Sequence, residues 1–187
     1  MWPWGHLAAG YLVYSAYTRL RTGSSPVDLP ALVALFGTQL PDLVDKPLAW
    51  SFSILPSGRS LGHSLVVAVP VLAVAWLLTA RRDARPLAAA LGVGWVSHLF
   101  ADALYPLLAR NFADVTFLAW PLLPLPTYEV DASFAAHFAL LSPSPTFLFE
   151  LVLVALASVA WHADGHPGLA TLRSWSGRVL ADGRAEQ

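Results

Sequence analysis

His98 and Asp102 stand four residues apart in the stretch Gly94-Trp95-Val96-Ser97-His98-Leu99-Phe100-Ala101-Asp102. On a helix that spacing puts both side chains on one face, one turn apart, where an imidazole and a carboxylate can share a metal ion. His6, Asp42, Asp45 and His63 also lie in or beside apolar stretches. An ionisable side chain in such a place is energetically expensive, which makes each one a functional candidate. A set of imidazoles and carboxylates without sulfur suits Zn²⁺, with Mn²⁺ or Fe²⁺ as alternatives. A divalent ion held this way lowers the pKa of its water and polarises a phosphoryl or acyl oxygen. The expected ligands are His6, Asp42, His63, His98 and Asp102, with Asp45 as bridging ligand or general base. Arg59 stands four residues before His63 and is the expected anion clamp, because a guanidinium fork matches a phosphate. Glu150 is the reserve ligand or base, and His137 and Trp120 are candidate substrate contacts. Each residue also has a plainer reading: an interfacial His6 beside Trp2 and Trp4, a helix cap at His63 with Ser60 and Ser64, a turn at Asp42 and Asp45, and a helix-tying hydrogen bond between His98 and Asp102.

The elements that must position these residues are apolar. Of 187 residues, 56% are hydrophobic and 12% charged, about half the charged fraction of a soluble domain. Lipid is the expected solvent for much of the chain. A net charge of -1 provides no basic field, which excludes nucleic acid as a partner. The absence of cysteine excludes disulfides, thiolate zinc sites and cysteine nucleophiles. Residues 62–80, 86–109 and 146–162 have the length and apolarity of bilayer spans, while 4–20 and 29–41 are apolar but interrupted. The expected fold is all-α, a polytopic membrane protein of five helical segments in one domain over residues 1–162. Pro121, Pro124, Pro126, Pro143 and Pro145 forbid a continuous helix over 110–145, which reads as a lid or re-entrant loop. Residues 163–187 read as a polar tail, amphipathic or disordered.

Basic residues sort to one side under the positive-inside rule. Arg19, Arg21, Arg81, Arg82, Arg85, Arg173, Arg178 and Arg184 fall inside, and Lys46, Arg59 and Arg110 fall outside. The topology implied is N-out, five crossings, C-in. This ordering also brings His6, Asp42, Asp45, His63, His98 and Asp102 to the outer side, although only Lys and Arg were used to derive it. The second segment is the weak point, since about thirteen residues must recross the membrane.

His6 with Gly10, the Pro41-Asp42-Leu43-Val44-Asp45 box, Arg59 with Gly62-His63-Ser64-Leu65, the His98/Asp102 pair and Trp120-Pro121 form an ordered set. In that order they resemble the membrane-bound metal-dependent hydrolase family, which includes a LexA-regulated bacterial inner-membrane member. The likeness covers roughly residues 1 to 125. The order of His, Asp, His and His-x-x-x-Asp is also similar to that of the zinc-dependent phospholipase C and single-strand nuclease enzymes, helical proteins that cleave phosphoesters with a metal cluster. These resemblances imply a phosphoester hydrolase in the inner membrane. The chain departs from the family at Gly58-Arg59, where relatives often carry His-Arg, and it has no second downstream His-x-x-x-Asp/Glu pair. One or two ions are therefore expected rather than three.

The expected function is a membrane-embedded, metal-dependent hydrolase of a phosphoester, with a lipid, a lipid-linked molecule or a small molecule as substrate and membrane lipid as a partner. A metal or proton transporter, and a catalytically inactive scaffold, remain open as alternatives. Transport calls for ligands near the bilayer midplane, and hydrolysis for a one-sided site.

Overall fold

The computed structural model describes residues 1–125 and 133–176, and every described regular element is helical. Arg178 and Arg184, Pro126 and the end of the tail lie outside the described residues. Five long helices occupy the five expected places: α1 (Pro3–Thr22), α2 (Asp28–Lys46), α3 (Leu65–Ala80), α4 (Arg85–Leu108) and α6 (Pro145–Ala163). A short α5 (Phe134–Ala139) and a 3₁₀ stretch (Phe112–Ala119) interrupt the proline-rich connection. Residues 169–176 of the tail are helical.

Local signals account for the helix ends. Pro3 opens α1, where a missing N–H costs nothing, and Gly23 closes it at φ 72 with its N–H on the Arg19 carbonyl. Ser64 caps α3 by accepting the Val66 N–H, and Ser144 caps α6 by accepting that of Phe147. The second element differs from the sequence reading. It runs straight through Pro41 for 19 residues and ends at Lys46, so Asp42 and Asp45 lie in its last turns rather than in a turn beyond it. Proline removes the ladder bond to the carbonyl four residues back. Dense packing of α2 against α4 holds the helix together across that gap.

That packing is backbone on backbone. A β-carbon on Gly94 would stand 2.1 Å from the Ala34 carbonyl oxygen, and one on Gly37 would stand 2.7 Å from that of Leu91. Only glycine at both positions permits this crossing. Alanines continue the pattern: Ala31, Ala34 and Ala90 pack with Tyr14, and Ala8 and Ala157 with Tyr11. Small residues at helix crossings are how membrane bundles gain close contact when lipid supplies no hydrophobic drive between helices.

The large aliphatic residues point outward instead, as Val69, Val74 and Leu77 do on α3 and Val152, Leu156 and Val159 on α6. Among the described residues, two helices are long and apolar enough to cross a membrane, Arg85–Leu108 and Pro145–Ala163. The second buries only 11% of its apolar window inside the protein, which leaves its flank for another solvent. Leu65–Ala80 is apolar but shorter, and α1 and α2 carry too many polar residues to meet the same measure, so five crossings are not established. At the end of the bundle where α6 finishes, Tyr11 and Ser15 donate to Asp164 at 2.7 and 2.6 Å, and Arg19 Nε donates at 3.1 Å. Burial raises the Asp164 pKa, but the hydrogen bonds from Ser15, Tyr11 and Arg19 outweigh it and leave the carboxyl below its usual range.

Candidate metal centre

The start of α1, the end of α2, the loop before α3 and the end of α4 meet at the other end of the bundle. There the structure brings together His6, Asp42, Asp45, His63, His98 and Asp102, contributed by stretches a hundred residues apart in sequence. Two groups of three have ligand atoms within 4.8 Å of one another: Asp42, His63 and His98, and His6, His98 and Asp102.

His63 and His98 are the centre of the arrangement. His98 Nδ1 lies 2.6 Å from the Thr38 carbonyl, an oxygen that can only accept, so Nδ1 carries the proton. His63 Nδ1 lies 2.8 Å from Asp45 Oδ2. Asp45 is fully buried and also accepts the N–H groups of Ser60 at 2.7 Å, Gly62 at 2.8 Å and His63 at 3.3 Å, which fixes it as an acceptor. With both Nδ1 atoms committed as donors, Nε2 of each ring is the nitrogen left for a ligand. Those two Nε2 atoms stand 3.1 Å apart. A cation between them, a divalent ion or a proton carried by one ring, accounts for the close approach. Two nitrogens on one tetrahedral zinc, each at about 2.0–2.1 Å, stand about 3.3 Å apart.

Carboxylates surround that point. Asp42 Oδ1 is 3.4 Å from His63 Nε2 and 3.8 Å from His98 Nε2, and Asp102 Oδ2 is 3.5 and 3.9 Å from the same two atoms. His6 stacks on His98 with ring centroids 3.7 Å apart and puts Nε2 3.2 Å from Asp102 Oδ1. His6 Nδ1 is buried with no hydrogen-bond partner among the described residues. The Met1 amino group lies 3.0 Å from Asp102 Oδ1, and Arg59 Nε lies 2.9 Å from Oδ2.

This geometry gives Asp45 a different role from the bridging ligand or base expected from sequence. Its oxygens are taken by four donors, one of them the His63 ring, so it orients the histidine from behind as carboxylates do in metal sites. Asp45→Asn is predicted to weaken zinc binding about 10- to 100-fold in a chelator-competition titration. An affinity within twofold of wild type would show that the ring holds its pose without the carboxylate.

The remaining predicted residues stand around this core. Glu150 is buried, accepts the Trp2 N–H at 3.1 and 3.3 Å through its two oxygens, and belongs to neither ligand group. A β-carbon on Gly5 would fall 2.6 Å from Glu150 Oε2, so glycine there admits the carboxylate. His137, on α5, packs its ring 4.8 Å from Trp2 and 5.5 Å from Trp50 and belongs to neither group. Trp120 takes part through its backbone, its carbonyl accepting the Ser64 hydroxyl.

Three participants escaped the sequence reading. The Thr38 carbonyl sets the His98 tautomer, and no sequence signal marks a backbone oxygen. Trp95 Nε1 donates to the Gly62 carbonyl at 2.7 Å and anchors the loop that carries His63. Lys46 Nζ lies 2.6 Å from Asp42 Oδ2, and the i, i+4 spacing of this pair on α2 was the signal that could have revealed it.

The fold is a helical bundle with small residues at its crossings, an apolar exterior and a buried histidine–aspartate cluster at one end. The chain belongs to the YdjM inner membrane protein family, whose profile matches residues 1–170. No curated protein and no solved structure matches the chain. Family membership carries the inner-membrane location; the likeness to hydrolases and to phospholipase C has no counterpart in it.

Proposed function

We propose that the chain is a metal-dependent hydrolase of the inner membrane, acting on a phosphoester at a site that opens to the outer face. The observation that carries this reading is the pair of Nε2 atoms 3.1 Å apart, with both Nδ1 atoms locked by Asp45 and Thr38. His63, His98 and Asp42 hold the ion, and Asp102 completes the set. His98 Nδ1 is spent on Thr38, so only Nε2 remains for a metal, and the two ligand groups that share His98 can serve one ion at a time. One ion, zinc in first place with manganese or iron as alternatives, is the count this favours.

When bound, the ion supplies Lewis acidity and a water of near-neutral pKa. Asp42 has both oxygens engaged, Oδ1 toward the imidazoles and Oδ2 on Lys46, which fixes it as a ligand carboxylate. A phosphoester held beside the ion would be cleaved by that water, its oxygen bonding to phosphorus as the ester P–O bond breaks and its proton passing to the leaving oxygen. His6 stiffens the site by stacking on His98 and holding Asp102. The aromatic rings of Trp2, Trp50, His137 and Phe138 close over the same end and suit a substrate with apolar parts.

The test is phosphate release from a panel of soluble and lipid phosphoesters by the metal-loaded protein in detergent. Release is expected to depend on zinc or manganese and to fall at least a hundredfold in His63→Ala. Release that ignores both metal and mutation sinks the hydrolase reading, and metal flux into proteoliposomes without hydrolysis replaces it with transport.

A further inference from the structure

Two cations stand at the exposed edge of the metal centre, each paired with a different carboxylate of the cluster. Lys46 Nζ lies 2.6 Å from Asp42 Oδ2, and Arg59 Nε lies 2.9 Å from Asp102 Oδ2. An aromatic ring backs each of them: Lys46 is 5.6 Å from the centroid of Trp50, and Arg59 is 6.0 Å from that of Phe117. The Arg59 side chain is 34% exposed and that of Lys46 13%, whereas the imidazoles of His63 and His98 are sealed. The floor of the site thus consists of metal-ligand atoms, and its outer lip is cationic.

The charges of Asp42, Asp45 and Asp102 are balanced by those of Lys46, Arg59 and the Met1 amino group. A divalent ion leaves the site with two positive charges. In a site screened from bulk water, such a gain decides how strongly an anion is drawn in. The lip is chemically matched to an oxyanion, since a guanidinium fork and an ammonium point charge are complementary ways of binding phosphate oxygens.

Resting on the metal-centre reading above, we infer that Lys46 and Arg59 form a two-point clamp for a phosphate-class oxyanion, admitted only when the divalent ion is in place. The oxyanion is the phosphoryl group shared by free phosphate, a soluble phosphate ester and a lipid phosphate headgroup. Lys46 is a binding residue in this account, with a role beyond its salt bridge to Asp42.

The full chain, purified in detergent and loaded with Mn²⁺, tests the clamp by the ³¹P relaxation of added inorganic phosphate. Manganese content is measured on the same sample. The expected result is excess relaxation that saturates with phosphate and vanishes when the metal is stripped. Lys46→Gln and Arg59→Gln are each expected to weaken phosphate binding about tenfold or more at unchanged manganese content. Stoichiometric manganese without excess relaxation in the wild type overturns the clamp and leaves the metal centre standing, as does wild-type phosphate affinity in both variants. A chain that takes up no manganese removes the metal centre, and the clamp with it. Repeating the titration in phosphatidylcholine nanodiscs with and without phosphatidic acid separates the sources. Competition by phosphatidic acid assigns the clamp to a lipid headgroup, and an unchanged signal assigns it to a soluble phosphate.

Discussion

Saturating zinc raises the thermal midpoint of the wild-type protein by about 5–10 °C, and the same addition leaves His98→Ala where it was. A ligand that binds only the folded chain contributes about 2.7 kcal/mol at a hundred times its dissociation constant. For a chain of this size each kcal/mol moves the midpoint by about 2–4 °C. His98 is the residue to remove because it is common to both ligand groups and its Nε2 faces that of His63. Alanine there removes one of the two Nε2 atoms and leaves the Thr38 carbonyl without its imidazole partner. A midpoint that rises equally in both proteins would show that zinc binds elsewhere.

The second large effect lies in the scaffold. Gly94→Val is expected to lower stability by about 3 kcal/mol or more, at the upper end of overpacking effects, and to weaken metal binding at the same time. The added β-carbon has no room beside the Ala34 carbonyl, so α2 and α4 must separate. These two helices carry Asp42 and His98, which ties the packing defect to the site. Gly92→Ala is the control: a β-carbon there meets only the Leu72 side chain at 3.8 and 3.9 Å, and the substitution is expected to be neutral or slightly stabilising. Thermal unfolding of the two variants checks this directly. A Gly94→Val midpoint within 2 °C of wild type, on the order of a half to one kcal/mol, would contradict the close crossing.

Much of the site was legible in the sequence for a physical reason. An ionisable side chain in an apolar segment has few tolerable fates, so His6, Asp42, His63, His98 and Asp102 become candidates by location, and their order along the chain joins them into one set. The charge asymmetry of Arg19, Arg81 and their neighbours then orients the segments and predicts that these residues share one end, where the structure brings them together. What the sequence hid was of two kinds. Pro41 marked a helix end that tertiary packing overrode, because the Gly37 and Gly94 crossing holds α2 together beyond the missing hydrogen bond. The division of labour between Asp42 and Asp45 was hidden as well, since both are aspartates on the same helix. Only the loop N–H groups of Ser60 and Gly62 decide that Asp45 faces protein donors and Asp42 faces the imidazoles. Lys46 was read only as an outside charge, and its pairing with Asp42 was not foreseen.

The claim on which the account stands is that one divalent ion sits between His63 and His98. Elemental mass spectrometry of the detergent-purified chain, wild type beside His63→Ala, measures it most directly. The account predicts close to one zinc, manganese or iron per chain in the wild type and little in the variant. No metal in the wild type, even after reloading with each of the three, would contradict it and leave the histidine–aspartate cluster as a proton-sharing network that ties helices together.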